Sequence, residues 1–153
     1  MRDTVGDSPP AIDDLRKMPL VDGVVRETLR LWPPGVVGGR TAVADFEVLG
    51  HRIPGGSTVL YSPYVTHRLA DVWGDPERFR PGRWDEGEPV PYSFVPFGGG
   101  HRRCIGFALA TLELQVLAVR LAQRVEWRVH RPEPKGVGVA TFAPKGGVPI
   151  TVG

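Results

Sequence analysis

The chain has 153 residues, of which 41% are hydrophobic and 24% are charged, the proportions of one globular unit. Its 19 basic and 17 acidic side chains nearly balance, and the absence of a basic run with interleaved aromatic residues argues against a nucleic-acid partner. One cysteine excludes an intrachain disulfide, and residues 1–10 lack the apolar core of a signal peptide. We therefore expect residues 1–153 to form a single unit, soluble and cytoplasmic as it stands, with any membrane anchor confined to a segment before Met1.

The first predicted elements are helices. Residues 11–17 favour a short helix, which Pro19 interrupts. Over residues 20–31 the apolar side chains recur at the spacing of a helix with one broad apolar face. The following Trp-Pro-Pro sequence ends this second helix, because proline cannot continue the hydrogen-bond ladder.

The middle of the chain predicts short strands and then a long coil. Residues 40–61 contain alternating apolar and polar positions, with two glycine-containing turns between strands. Ser62-Pro63 is typical of a helix start, so a short helix to Leu69 is expected. Residues 70–97 contain five prolines and favour irregular coil, which compact domains keep at this length mainly for functional segments.

The last part of the chain combines a long helix with strands, so the expected fold class is α+β. Residues 106–124 contain no proline and are apolar on most sides, which is typical of a helix inside a larger structure. Strand-like segments follow at residues 125–129, 137–142 and 148–152, with a turn at residues 145–147.

Residues 97–106 carry the most informative pattern. Three consecutive glycines at positions 98–100 let the backbone adopt positive φ angles and approach a flat ligand closely. Cys104 follows them just before the long helix, where free helix N–H groups favour an anion. Arg102 and Arg103 add positive charge. The loop is therefore suited to hold one sulfur as a thiolate in a fixed position.

Other cysteine and glycine-loop chemistries fit this stretch less well. A cysteine phosphatase needs an arginine six residues after the cysteine, and that position is Ala110; a P-loop needs a Gly-Lys-Ser/Thr ending, which is absent. Zinc could use His101 with Cys104, but no second ligand pair accompanies them in the sequence. Covalent haem attachment needs a Cys-x-x-Cys-His run, which a sequence with one cysteine cannot contain. A buried structural cysteine is the remaining alternative, against which the surrounding glycines and arginines argue.

The stretch resembles the haem-binding signature of cytochromes P450, Phe-x-x-Gly-x-Arg-x-Cys-x-Gly. The five matching positions are Phe97, Gly100, Arg102, Cys104 and Gly106. The resemblance implies haem b as the cofactor, with Cys104 as the thiolate ligand of the iron. It also implies that Arg102 reaches a haem propionate, that Phe97 packs near the ligating sulfur, and that Gly98 belongs to the haem-binding surface.

Two upstream segments resemble other parts of the P450 pattern. Residues 27–34, Glu-Thr-Leu-Arg-Leu-Trp-Pro-Pro, are similar to the K helix. A Glu-x-x-Arg pair taken alone would not show this, because such pairs are common on helix surfaces. Residues 75–84 are similar to the meander of the family. The resemblance implies a buried structural charge network of Glu27, Arg30 and Arg83. Arg40 lies where the family often has a second propionate-binding arginine. The alternative is that Arg40 is an ordinary solvent-facing strand residue.

The resemblance runs in one order from about Pro10 to Val152 and implies the P450 fold, which is mainly α in the full-length family. We expect the C-terminal, haem-binding part of that fold, with K and L helices, short strands and a long meander coil. The distal I helix of the family carries an Ala/Gly-Gly-x-Asp/Glu-Thr stretch, and no such stretch occurs in this sequence. The N-terminal and distal regions are therefore expected to be absent from this fragment.

The function implied by the resemblance is that of a haem-thiolate monooxygenase. Such an oxidoreductase inserts oxygen from O2 into a hydrophobic organic substrate, with electrons from a ferredoxin or a reductase. This chain is expected to carry the haem and iron binding, to contain no catalytic side chain of its own, and to be inactive in isolation. The alternative is a stand-alone or degenerate haem-binding protein without monooxygenase activity.

Overall fold

The computed structural model describes residues 5–130, 136–138 and 141–153. The α-helices that lie wholly within these residues are α1 (Ile12–Leu15), α2 (Pro19–Leu31), α3 (Pro63–Thr66), α4 (Ala70–Trp73) and α5 (Phe107–Arg124). Two 3-10 turns cover Pro81–Asp85 and Gly100–Arg102. The strands are β1 (Gly38–Thr41), β2 (Phe46–Val48), β3 (His51–Ile53), β4 (Thr58–Tyr61), β5 (Trp127–Val129), β6 (Gly136–Val137), β7 (Ala143–Pro144) and β8 (Ile150–Val152).

The strands pair two by two in antiparallel sheets. Within the described ranges, β1 pairs with β4, β2 with β3, β5 with β8, and β6 with β7. The β2–β3 hairpin turns through Leu49 and Gly50, both of which have positive φ angles, as a two-residue hairpin turn requires. The helices and short strand pairs together give the α+β class that the sequence predicts.

The two long helices, α2 and α5, supply the main helix packing. Leu15, Met18 and Val21 pack around Val119, which is the fully buried residue of α5. Leu109 and Leu117 of the same helix are exposed. In this chain α5 therefore buries only a narrow face, although its sequence is apolar on most sides.

A second contact brings α2 against the 3-10 turn Pro81–Asp85. Pro19 occupies the first turn of α2, where its fixed φ angle suits the helix and its missing N–H is not needed. At Gly23, an added Cβ would lie 2.8 Å from the carbonyl oxygen of Pro81. The absence of a side chain at Gly23 thus lets the turn approach the helix, one helical turn before Glu27 on the same face.

The middle of the chain departs from the predicted pattern in two places. The Ser62 hydroxyl accepts a hydrogen bond from the N–H of Val65 over 3.3 Å, as a helix N-cap should, but the helix ends at Thr66 and does not reach Leu69. Residues 70–97 are mostly irregular, as predicted, but they include α4 and the 3-10 turn Pro81–Asp85, which the sequence did not predict. Elements this short are not long enough to show a hydrophobic period in the sequence.

The ends of the chain show smaller differences. The first predicted helix, residues 11–17, is helical only over Ile12–Leu15. The strand predicted at residues 137–142 coincides with β6 only at Val137, and residues 139–140 of that prediction lie outside the described residues. Among the helices of the described residues, none is long and apolar enough to cross a membrane.

Candidate functional site

Cys104 lies between the 3-10 turn Gly100–Arg102 and the start of α5. Its N–H donates to the carbonyl oxygen of Phe97 over 2.9 Å, which closes the loop onto itself. The residue itself is exposed. The backbone of the cysteine is thus held in place while its sulfur faces the outside of the chain.

The glycines before Cys104 let the loop approach β4. Gly98 has a φ of 73°, in the left-handed region that favours glycine. A Cβ at Gly98 would lie 3.2 Å from the hydroxyl of Tyr61, tighter than an ordinary contact. This close approach places the cysteine loop beside the strand pair that carries Arg40.

Exposed apolar side chains follow Cys104 in the sequence. Ile105, the residue after Cys104, is fully exposed, and Leu109, one helical turn further along, is also exposed. A thiolate is a soft ligand that suits iron in a porphyrin, and a flat apolar ring system would cover exposed aliphatic side chains of this kind. The residues present therefore fit a haem with Cys104 as its ligand.

Two arginines lie near the loop without acidic partners. Arg102 is exposed in the 3-10 turn, and Arg40 on β1 extends toward Tyr61, with Nη2 3.5 Å from the phenol oxygen. In the described part of the chain, neither guanidinium forms a salt bridge. Arg40 lines a cavity of about 410 Å³ together with Gly99 and Gly100. Such cations are suited to binding carboxylates at the edge of a haem.

Phe97 and Arg103 line a second cavity beside the loop. This cavity has a volume of about 450 Å³ and is also lined by Leu29 of α2 and Phe107 of α5. The guanidinium carbon of Arg103 lies 3.6 Å from the centroid of the Phe107 ring, so this arginine stacks on the first residue of α5.

Glu27 is the centre of a buried hydrogen-bond network. Its Oε1 accepts from Arg30 Nη2 (2.9 Å), Arg83 Nε (3.0 Å) and the N–H of Arg80 (2.9 Å), and its Oε2 from Arg30 Nε (3.0 Å) and Trp84 Nε1 (3.2 Å). Glu27 and Arg30 are fully buried and Arg83 is nearly so. Burial opposes ionisation of the carboxyl, but the hydrogen bonds from Arg30, the Arg80 backbone and Arg83 outweigh it and hold the pKa of Glu27 below its ordinary value.

Arg30 and Arg83 also donate to backbone carbonyl oxygens between His67 and Pro76. Arg30 donates to the carbonyls of His67 (2.8 Å) and Pro76 (2.7 Å), and Arg83 to the carbonyls of Trp73 (2.8 Å) and Asp75 (3.2 Å). Carbonyls at a helix end and in irregular backbone need such partners, because no helix or sheet hydrogen bond satisfies them. The charged network thus fixes the coil and also neutralises Glu27.

His67 is a buried functional candidate that the sequence did not reveal. It is fully buried, its Nδ1 lies 3.0 Å from the Arg30 carbonyl oxygen, and its Nε2 accepts from the N–H of Val95 over 2.8 Å. Burial, followed by the charges of Arg30 and Arg68, lowers the pKa of His67 to about 4, although the hydrogen bond to the Arg30 backbone opposes this. No ligand spacing surrounds His67 in the sequence, so nothing there distinguishes it from an ordinary structural or exposed histidine.

Known proteins match the chain over nearly its whole length. A family model described as Cytochrome P450 matches residues 1–144. "Putative cytochrome P450 139" of Mycobacterium bovis is 42% identical over 144 residues, which cover 91% of this chain and 34% of that protein. "Beta-amyrin 28-monooxygenase" of Medicago truncatula is 42% identical over 123 residues, which cover 80% of this chain and 26% of that protein.

A solved structure has the same fold. The chain of "Retinoic acid bound cyanobacterial CYP120A1" superposes with a TM-score of 0.89 at 32% sequence identity, covering 99% of this chain and 37% of that one. The chain spans about a third of the length of the curated relatives it matches. These matches, together with the agreement in fold, show that the chain belongs to the cytochrome P450 family and has the fold of part of a P450 domain.

Proposed function

We propose that this chain forms the haem-binding part of a cytochrome P450 monooxygenase, with Cys104 as the thiolate ligand of the iron. The observation that carries the proposal is the exposed Cys104, on a loop whose backbone is closed by the Phe97 carbonyl and whose neighbour Ile105 is fully exposed. When bound, haem supplies the iron chemistry that activates dioxygen, and a thiolate ligand increases the electron density on the iron.

The residues around Cys104 have binding roles in this proposal. Arg102 and Arg40 bind the haem propionates, supported by their exposure and by the lack of salt-bridge partners for either in the described residues. Gly98 allows the loop backbone to lie close to the porphyrin, since its left-handed φ and the 3.2 Å approach of an added Cβ to the Tyr61 hydroxyl both disfavour a side chain there. Phe97 closes the loop through its carbonyl and, as the resemblance implies, packs near the sulfur of Cys104.

Glu27, Arg30 and Arg83 have a structural role in the proposal, because they are buried and bind each other and the coil. No side chain of this chain is assigned to catalysis. For the whole protein we propose a hydrophobic organic substrate, in keeping with the beta-amyrin and retinoic acid named for two similar proteins. We also propose a ferredoxin or reductase as the electron donor.

The ferrous carbon monoxide spectrum tests the ligand assignment. Chain reconstituted with haem, reduced and exposed to carbon monoxide should show the red-shifted Soret band of thiolate ligation. Cys104→Ala should lose that band. His101→Ala is the matched control, because His101 is an exposed potential iron ligand in the same loop and should not affect the spectrum. A thiolate band that survives in Cys104→Ala would refute the assignment.

A further inference from the structure

His67 connects two parts of the chain that lie far apart in sequence. One side of its ring faces the C-terminal end of α2 through the carbonyl oxygen of Arg30, and the other side faces the N–H of Val95, just before the cysteine loop. A backbone N–H only donates and a carbonyl only accepts. Nε2 must therefore be unprotonated, and Nδ1 must carry the proton. The two partners select one neutral tautomer of His67.

The surroundings hold the ring in this orientation. Phe94 packs against it with ring centroids 5.3 Å apart, and Trp73 meets it edge-on at 6.4 Å. Arg30 also donates from Nη1 to the carbonyl oxygen of His67 over 2.8 Å, so the two residues are bonded in both directions. The low pKa of the imidazole keeps it neutral at physiological pH, which preserves the acceptor for Val95.

Val95 belongs to the stem of the cysteine loop. Its carbonyl oxygen accepts from the N–H of Gly98 over 3.0 Å, and the carbonyl of Phe97 accepts from the N–H of Cys104 over 2.9 Å. Successive backbone hydrogen bonds thus lead from the Val95 peptide to the cysteine. A shift of the Val95 N–H would be transmitted to the sulfur through this short segment.

We propose that His67 is a positioning residue that fixes the stem of the cysteine loop to α2 and thereby orients the sulfur of Cys104. The part of this inference that concerns iron ligation rests on the proposed function. The part that concerns the loop does not, because it depends only on the contacts of His67 with Arg30 and Val95.

Two amide variants separate the contacts of His67. In His67→Gln, the side-chain oxygen can take the place of Nε2 and accept from Val95. In His67→Asn, the amide nitrogen can take the place of Nδ1 and donate to Arg30, but the side chain is too short to reach Val95. Both variants are uncharged and polar, so each serves as the control for the other.

Amide hydrogen exchange in the full chain without haem measures the loop contact directly. We expect His67→Asn to increase the exchange rates of the Val95 and Cys104 amides by about tenfold, as for the loss of one buried hydrogen bond. His67→Gln should stay within about threefold of the unmodified chain. With haem and carbon monoxide, His67→Asn should show a smaller fraction of the thiolate spectrum than His67→Gln.

Equal behaviour of the two variants in both measurements would overturn the inference, because His67 would then act only by filling space. A normal exchange rate at Val95 and Cys104 in His67→Asn would overturn it as well. If the unmodified chain showed no thiolate spectrum, the proposed function would fail, and amide exchange would still decide whether His67 fixes the loop.

Discussion

Glu27 and Arg83 are 56 residues apart in sequence, yet Nε of Arg83 donates to Oε1 of Glu27 over 3.0 Å in the interior of the chain. The contact joins a regular helix to an irregular coil, at the point where Gly23 allows the two backbones to approach. The Glu27 carboxylate is also bound by Arg30, the Arg80 N–H and the Trp84 indole, so its geometry is fixed by the whole set of partners.

Loss of one member of this network should destabilise the chain strongly. Arg30→Ala leaves the buried Glu27 carboxylate with fewer partners and removes the donor to the Pro76 carbonyl. We expect a loss of about 3–5 kcal/mol in the free energy of unfolding, measured by urea denaturation. The control is Arg16→Ala, which breaks an exposed pair with Asp13 and should cost less than about 1 kcal/mol. Equal effects of the two substitutions would show that burial of the network contributes nothing.

The stability of the chain should fall with acidification because of His67. The pKa of this histidine is about 4 in the folded chain, against the ordinary value of 6.5. Between these values the unfolded chain binds more protons than the folded chain, so the free energy of unfolding falls as the pH decreases. The contribution of His67 to stability is complete above pH 6.5 and is lost as the pH falls toward 4. The loss should approach about 3 kcal/mol, since one pKa unit corresponds to about 1.4 kcal/mol.

His67→Gln isolates this effect, because glutamine does not titrate. Glu27, whose pKa is lowered in the folded chain, also contributes stability that is lost as the pH falls through its folded pKa, and it does so in both proteins. The difference in unfolding free energy between the two chains, followed from pH 7.5 to pH 4.5, should therefore change with the titration of His67 alone. A constant difference over this range would contradict the prediction.

The exposed side of α5 should tolerate polar substitution. Leu117 is 53% exposed and borders an apolar groove of about 550 Å³ between α2 and α5, whereas Val119, two residues on, is 0% exposed. Leu117→Gln should reduce binding of an apolar dye and raise solubility with little change in stability. Val119→Gln should cost several kcal/mol, because it buries a polar group without partners. A large destabilisation by Leu117→Gln would show that this surface is packed in solution.

The isolated chain should not hydroxylate substrates even with haem bound. Its sequence lacks the Ala/Gly-Gly-x-Asp/Glu-Thr stretch that the P450 resemblance places on the distal helix and associates with proton delivery. With electrons from a surrogate ferredoxin system, we expect oxygen consumption that yields superoxide or peroxide and no oxygenated product over a panel of hydrophobic substrates. Coupled product that disappears in Cys104→Ala would refute this.

Much of the fold was predictable because its main elements are long and periodic. Helices α2 and α5 carry their apolar side chains at helical spacing, and the Ser62 cap marks the start of α3. Helix α4 was missed because four residues cannot show a period, and its end depends on the positive φ of Gly74.

The candidate site was predictable to a smaller extent. Cys104 could be assigned from local chemistry, since the glycines, the arginines and the following helix are its sequence neighbours. His67 could not, because its importance arises from a contact with Val95, 28 residues further along the chain. No hydrophobic period or ligand spacing in the sequence marks a contact between a histidine side chain and a backbone N–H so far along the chain.

Because Cys104 is exposed, its reactivity toward a thiol reagent can report the fraction of chains that contain haem. It is the single cysteine of the sequence, so a thiol-reactive dye can label each chain only once. A sulfur bonded to iron is not available as a thiolate nucleophile. Under the proposed function, the labelled fraction of a preparation therefore equals the fraction without haem. For the same reason, air oxidation should form disulfide-linked pairs only from chains without haem.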